Sequence, residues 1–218
     1  MFDLTPRDLT RRILDCASGP SSFNAEATRK GFAVVSCDPL YRFTAEEIAG
    51  RIEETYETIL AGSETNRHRF AWDEIESIDR LGEVRMATMR RFLDDFPRGI
   101  SEKRYRTEEL PTLGFEHSTF DPALCSHFLF TYSEQLSADF HVSTIEEMCR
   151  VAYEARVFPL LDYAGEPSSI LRPVVGELRA RGYRSETRRV AHEFQRGGNR
   201  LLSVSSEATP VKEQVPSR

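Results

Sequence analysis

The segment from Arg12 to Pro39 constrains the fold more than any other part of the chain. A short apolar run, Arg12-Ile13-Leu14-Asp15-Cys16, stops in a string of small residues, Ala17-Ser18-Gly19-Pro20-Ser21-Ser22. A short helix is expected from about Asn24 to Lys30, ended by Gly31, the residue type that most often follows a helix. A second apolar run, Ala33-Val34-Val35-Ser36-Cys37, ends at Asp38-Pro39. Strand, helix and strand in so short a stretch make a βαβ unit, which builds parallel sheets.

The next helix begins at Thr44, where Glu47 stands three residues on and completes a capping box. Ile48, Ile52, Ile59 and Leu60 share one face, and Gly62 is expected to close it. Residues 65–103 read as further helix, with Phe92, Leu93 and Phe96 as an apolar patch. The stretch 42–103 is too long for a bare connection and reads as a helical insertion between the second and third strands. Strands are expected at 104–107 and at 120–125. Ser143 and Glu146 suggest a second capping box, before a helix that buries Ile145, Met148, Cys149 and Ala152. A strand at 155–161 and a helix at 173–181 follow. The last two strands, 183–193 and 200–204, flank Gly197-Gly198-Asn199, which is hairpin chemistry. The order predicts an α/β protein with a mostly parallel sheet and a C-terminal antiparallel strand. Residues 1–204 read as one domain and the polar, proline-containing 205–218 as a disordered tail.

Composition narrows the function classes. The chain has 218 residues, 39% hydrophobic and 29% charged, which fits a globular protein and not a membrane-spanning one. No apolar run is long enough to span a bilayer. The N-terminal MFDLTPRDLTRR lacks an apolar signal core, so the cytoplasm is the expected location. The four cysteines, Cys16, Cys37, Cys125 and Cys149, are far apart in sequence, so neither a disulfide framework nor a structural metal site is expected. A net charge of −6 disfavours a general nucleic-acid binder. Segment 80–106 nevertheless carries eight basic residues against four acids, either a solvated face or a lid that grips an anion or an RNA edge.

In open α/β sheets, ligands bind off the carboxyl ends of the strands near the switch point. Asp15 ends the first strand there, Gly19 lets backbone approach a ligand, and Asp38 ends the second strand, where an acid can accept from both hydroxyls of a ribose. ILDCASGPSSF followed by VVSCDP resembles the first two motifs of the class I, Rossmann-like S-adenosylmethionine-dependent methyltransferases. LPTLGFEHSTFDPALCSHFLFTY resembles their run into the fourth strand, and EEMCRVA the helix behind it. The resemblance covers residues 12–41 and 104–204 and omits the insertion. Ala17 and Ser21 stand where that family usually has glycine, and Leu113-Gly114-Phe115 stands for its Leu-Pro-Phe.

The resemblance implies S-adenosylmethionine as cofactor and a methyl acceptor that is a small molecule. It places Asp15, Ala17, Gly19 and Ser21 around the methionine part, Asp38 on the ribose, and Pro39 or Leu40 over the adenine. An acid after the third strand, Glu108 or Glu109, with Glu109 as the nominee, would meet the adenine amino group. Cys125, Ser126 and His127 would face the sulfonium end, with His127 a candidate general base. Tyr132 and His141 are weaker candidates for that role. The turn carrying Arg196 and Asn199 is expected at the rim of the pocket. The Asn/Asp-Pro-Pro-Tyr/Phe signature of base-amino methylation is absent, since Cys125-Ser126-His127-Phe128 stands in its place. Two alternatives remain: a nicotinamide-dependent oxidoreductase, using Ala17-x-Gly19-x-x-Ser22, and a non-catalytic S-adenosylmethionine-binding protein.

Overall fold

The computed structural model describes residues 1–73 and 75–206. Seven strands form one sheet in the order β3-β2-β1-β4-β5-β7-β6. They are β1 (Arg12–Cys16), β2 (Ala33–Cys37), β3 (Tyr105–Arg106), β4 (Phe120–Ser126), β5 (Ala152–Phe158), β6 (Tyr183–Arg189) and β7 (Arg200–Ser206). Helices α1 (Pro6–Leu9) and α2 (Phe23–Arg29) belong to the N-terminal part. Between β2 and β3 stand α3 (Ala45–Thr65) and α4 (Ile78–Ser101), and α5 (Ala138–Val151) and α6 (Leu171–Ala180) follow. β1 pairs in parallel with β2 and β4, and β7 runs antiparallel to both β5 and β6. The expected mostly parallel sheet with its antiparallel C-terminal strand is therefore present. No helix among the described residues is long and apolar enough to cross a membrane.

The sheet is buried on both faces, as a parallel sheet must be. Leu14, Ala123, Ala155 and Val157 pack with Ile145 and Met148 of α5 and Leu178 of α6. On the other face Ile13, Val34 and Leu124 pack with Ala27 of α2, with Phe2 and with Phe158. Arg156, 6% exposed, fastens the N-terminal segment: its guanidinium donates to the Phe2 carbonyl at 3.1 Å and to the Asp8 carboxylate at 3.2 Å.

The insertion is two things at once. Phe92 and Phe96 of α4 are buried against Tyr41 and Tyr105, with ring centroids 5.0 to 5.8 Å apart. Arg104 clasps the α4 carboxylate of Asp95 through two nitrogens, at 2.8 and 3.0 Å, and reaches Asn24 of α2 at 2.6 Å. The second half of α4 is thus the crossover helix that a parallel β2–β3 connection requires. The remainder reaches across the sheet. Between α3 and α4, the Ala71 N–H donates to the Phe194 carbonyl at 2.7 Å. Arg196 N–H donates to the Arg69 carbonyl at 2.8 Å, and Phe70 stacks on Phe194 at 5.0 Å. The insertion leaves from β2 and is latched to the β6–β7 loop, so it spans the carboxyl edge of the sheet.

Several local expectations shift. α3 continues past Gly62 to Thr65, because nothing there calls for a left-handed residue. The cap of α5 is Ser137, whose hydroxyl accepts from the Phe140 N–H at 3.1 Å; Ser143 lies inside the helix. β5 starts at Ala152, which removes that residue from the helix face. Ser205 and Ser206 belong to β7, and the rest of the expected tail lies outside the described residues.

Candidate functional site

The carboxyl ends of β1 and β2 are joined by a rigid turn. Ala17 and Gly19 both adopt left-handed backbone angles, with φ of 49° and 55°. The Gly19 N–H donates to the Asp38 carboxylate at 2.9 Å, and the Leu40 N–H donates to its other oxygen at 2.8 Å. The buried Tyr41 hydroxyl donates to the Gly19 carbonyl at 2.8 Å. Ser21 accepts from the Phe23 N–H at 3.2 Å, at the start of α2. Pro39 opens the short helical turn that Asp38 caps. Asp15, Ala17, Gly19, Ser21, Asp38 and Pro39 are therefore gathered in one place. Tyr41 was legible only as an aromatic residue after Asp38, without a role.

The electrostatics of this end are acidic. Asp15 is 5% exposed, and its carboxylate accepts from the hydroxyls of Ser18 and Ser36, the latter at 3.3 Å. Burial pushes its pKa up to about 6; the two hydroxyl bonds oppose the rise and nearby Asp38 adds to it. Among the described residues no basic side chain acts on Asp15. A Cβ at Gly19 would meet nothing within 4 Å, so the turn borders open space.

Sequence spacing hid a row of thiols. Register sets Cys16 beside Cys37 on one side and Cys125 on the other, all buried. The Cys16 thiol is held well above its ordinary pKa by its bond to Cys37 and by burial, and burial pushes Cys125 up to about 12. Such thiols stay protonated and are poor nucleophiles. The Cys125 side chain is fully buried among the apolar residues of the core. Among the described residues no group of His, Cys, Asp or Glu is arranged to hold a metal ion.

Of the two acids after β3, Glu109 is exposed and stands 3.7 Å from Arg42, an ion pair open to water. Glu108 turns inward, bonded to Arg106, with one carboxylate oxygen buried and unpartnered. The inward member is Glu108 and not Glu109. The Leu113-Gly114-Phe115 stretch is clamped from α5: Glu147 accepts from Leu113 N–H at 2.6 Å, and Arg150 donates to the Leu113 and Phe115 carbonyls at 2.9 Å.

The end of β4 differs in character. Ser126 closes the strand half-buried, and His127 follows with φ 53°, an uncommon angle for a bulky residue that stores strain. The His127 side chain is exposed, yet burial by surrounding protein lowers its pKa to about 4, helped by His192, Arg85 and the amino group of Met1. At neutral pH the imidazole is uncharged and a weak base. Tyr132 is exposed on the surface. His141 is fully buried in α5, its Nδ1 2.8 Å from the Ser137 carbonyl. Arg196 donates through Nε to the His68 carbonyl of the insertion at 3.3 Å, and the Asn199 amide donates to Glu193.

The sheet order, its antiparallel β7 and the turn after β1 define the Rossmann-like fold of class I S-adenosylmethionine-dependent methyltransferases. No family model matches the chain. It is 34% identical over 207 residues to the uncharacterized protein MJ0045 of Methanocaldococcus jannaschii, spanning 94% of this chain and 90% of that protein, and it belongs to the same family. Among solved structures it is similar to an S-adenosylmethionine-dependent methyltransferase of Methanosarcina mazei. That likeness has 15% identity and a TM-score of 0.46, over 94% of this chain and 98% of the other. It is also similar to magnesium protoporphyrin IX methyltransferase of Synechocystis with bound S-adenosylmethionine. Here the identity is 13% and the TM-score 0.44, over 90% and 70% of the two chains. Likeness at this level bears on no residue of the site.

Proposed function

We propose that the protein is an S-adenosylmethionine-dependent methyltransferase acting on a small molecule. The observation that carries this is the turn Asp15–Gly19, tied to the end of β2 through Asp38, with open space above Gly19 and a buried Asp15 carboxylate on which, among the described residues, no basic side chain acts. Such a donor set suits a ligand with a ribose and a net positive charge. Asp38 would hold the ribose: its two backbone bonds leave lone pairs of a carboxylate that has about four acceptor sites. Asp15 would stand near the positive charge of the methionine part, whose field would draw its pKa back down. Glu108, with its unpartnered oxygen, would accept from the adenine amino group.

When bound, S-adenosylmethionine supplies an electrophilic methyl group. The chain's own contribution is alignment and exclusion of water, which can account for much of such a rate enhancement. The turn fixes one reactant, and the insertion, latched to the β6–β7 loop, roofs the other. His127 would accept a proton only from an acceptor that has to lose one, and its low pKa limits it to modest assistance. The lone glycine of the turn argues against the nicotinamide alternative, whose fingerprint uses three to approach a pyrophosphate. Calorimetry with S-adenosylhomocysteine and, separately, NAD tests the proposal: binding of the first and not the second is expected, and the reverse overturns it.

A further inference from the structure

We propose that Asn24 and Ser36 are positioning residues that keep the Asp15 carboxylate charged for a cationic ligand. A one-way chain of hydrogen bonds runs from Arg104 through Asn24 to Ser36 and aims the Ser36 proton at Asp15. That the ligand is S-adenosylmethionine rests on the methyltransferase reading; the chain of bonds does not.

Each link has one possible direction. Arg104 stands just before β3; two of its nitrogens grip Asp95 of α4 at 2.8 and 3.0 Å, and its Nε donates to Glu102 at 2.7 Å. A guanidinium has donors and no acceptor, so what it meets at Asn24, 2.6 Å away, is the side-chain carbonyl oxygen. The Asn24 NH2 is thereby turned the other way. It donates to the Val34 carbonyl at 3.2 Å, the Arg104 carbonyl at 3.1 Å and the Ser36 hydroxyl oxygen at 3.1 Å. A hydroxyl oxygen that accepts from Asn24 keeps its own proton for another partner. That partner is Asp15, opposite Ser36 in the β1–β2 register, with its carboxylate 3.3 Å away.

Asn24, Ser36 and Asp15 are 1%, 0% and 5% exposed, so water does not compete for these bonds. Fastening α2 to the sheet accounts for the Asn24 bonds to the two carbonyls. It does not account for a hydroxyl at Ser36, inside an otherwise apolar β2. Burial penalises the charged form of Asp15, and a donated proton offsets that penalty. The other groups near Asp15 are the Ser18 hydroxyl, which also donates to it, the Asp38 carboxylate, the Tyr41 hydroxyl and the Cys16 and Cys125 thiols. A donor's bond to a carboxylate is worth about one pH unit. Asp15 titrates at about 6 with both hydroxyls and would titrate near neutrality with one. The chain therefore decides whether a cation meets a carboxylate or an acid at neutral pH.

The test follows the side-chain amide and carboxyl signals of the full chain by NMR, with Asp15→Asn to assign Asp15. In the wild type the Asn24 NH2 protons are expected to show through-space contacts to Ser36. In Ser36→Ala, where Asn24 keeps its two carbonyl partners, the Asp15 pKa should rise by about one pH unit. Calorimetry with S-adenosylhomocysteine, whose ammonium supplies the cation, adds a functional readout. The cation binds the charged form, so affinity falls as pH drops through the Asp15 pKa, and in Ser36→Ala that fall begins about one unit higher. Ser36→Ala should therefore bind about fivefold more weakly than wild type at pH 6, with the deficit closing toward pH 8. The proposal is overturned if the Asn24 NH2 faces the Arg104 guanidinium in the wild type, or if Asp15 titrates in Ser36→Ala as it does in the wild type. A deficit of equal size at pH 6 and pH 8 also overturns it, since a merely structural role would weaken binding at every pH. If S-adenosylhomocysteine fails to bind the wild type, the methyltransferase reading falls, and the amide contacts and the Asp15 titration still decide the chain of bonds.

Discussion

Two regions at the carboxyl edge of the sheet, the turn after β1 and the latch of the insertion, are built by opposite means. The acidic turn comes from one continuous stretch, Asp15 to Tyr41, tied by local bonds: Gly19 and Leu40 to Asp38, Tyr41 to Gly19, the two serines to Asp15. The latch of the insertion is assembled from residues 69–71 and 194–196, which meet only because a long insertion crosses the sheet. The first is preorganised by local hydrogen bonds. The second is held by Phe70 stacked on Phe194 and by backbone bonds between the two loops. A locally bonded turn and a roof joined by a long-range latch differ accordingly in how far each can adjust.

The largest expected effect breaks the rigid end. Gly19→Val puts a branched side chain into the open space at a φ of 55°. Binding of S-adenosylhomocysteine should be lost while circular dichroism stays close to wild type; normal binding would mean that the turn does not cradle the cofactor. Asp15→Asn comes next. Because folding raises the Asp15 pKa to about 6, its protonated form is favoured in the native state. Stability from this group is therefore full below pH ~4 and is lost as pH rises through about 6. Removing the charge should stabilise the empty protein at pH 8 by about 2 kcal/mol, with less gain at pH 4, while weakening cofactor binding. Urea unfolding at the two pH values measures this, and equal effects at both would show that Asp15 carries no buried charge.

A smaller effect separates the halves of the insertion. Amides at 66–73 should exchange faster than those at 90–100, where Phe92 and Phe96 are buried, and S-adenosylhomocysteine should slow only the former. Uniform protection across both would make the whole insertion part of the core. The smallest is Ala17→Gly. Relief of the left-handed backbone is worth roughly 1 kcal/mol and is partly offset by the entropy of glycine in the unfolded chain, so a slight rise in thermal midpoint is expected. A fall would place the strain elsewhere.

This contrast also decides what could be read from the sequence. The βαβ unit, Asp38 and the capping box at Thr44 were legible because each depends on neighbours a few residues away. The cap of α5 was misplaced because Ser143 with Glu146 satisfies the same local pattern as Ser137, and only packing of Val142 and Ile145 chooses between them. Glu108 and Glu109 could not be separated by spacing, since the direction of a side chain is set by the turn around Leu110. The thiol row depends on strand register, and the stacking of Phe70 on Phe194 depends on where the insertion lands. Neither has a local signature.

The most direct test of the cofactor site at the turn after β1 is calorimetric titration of S-adenosylhomocysteine into wild type and Asp38→Ala. A bond to a charged acceptor is worth about 1.5–3 kcal/mol, so the loss of Asp38 should weaken binding about 10- to 100-fold in a protein that remains folded. Unchanged affinity in folded Asp38→Ala would remove the cofactor from the acidic end and contradict the account.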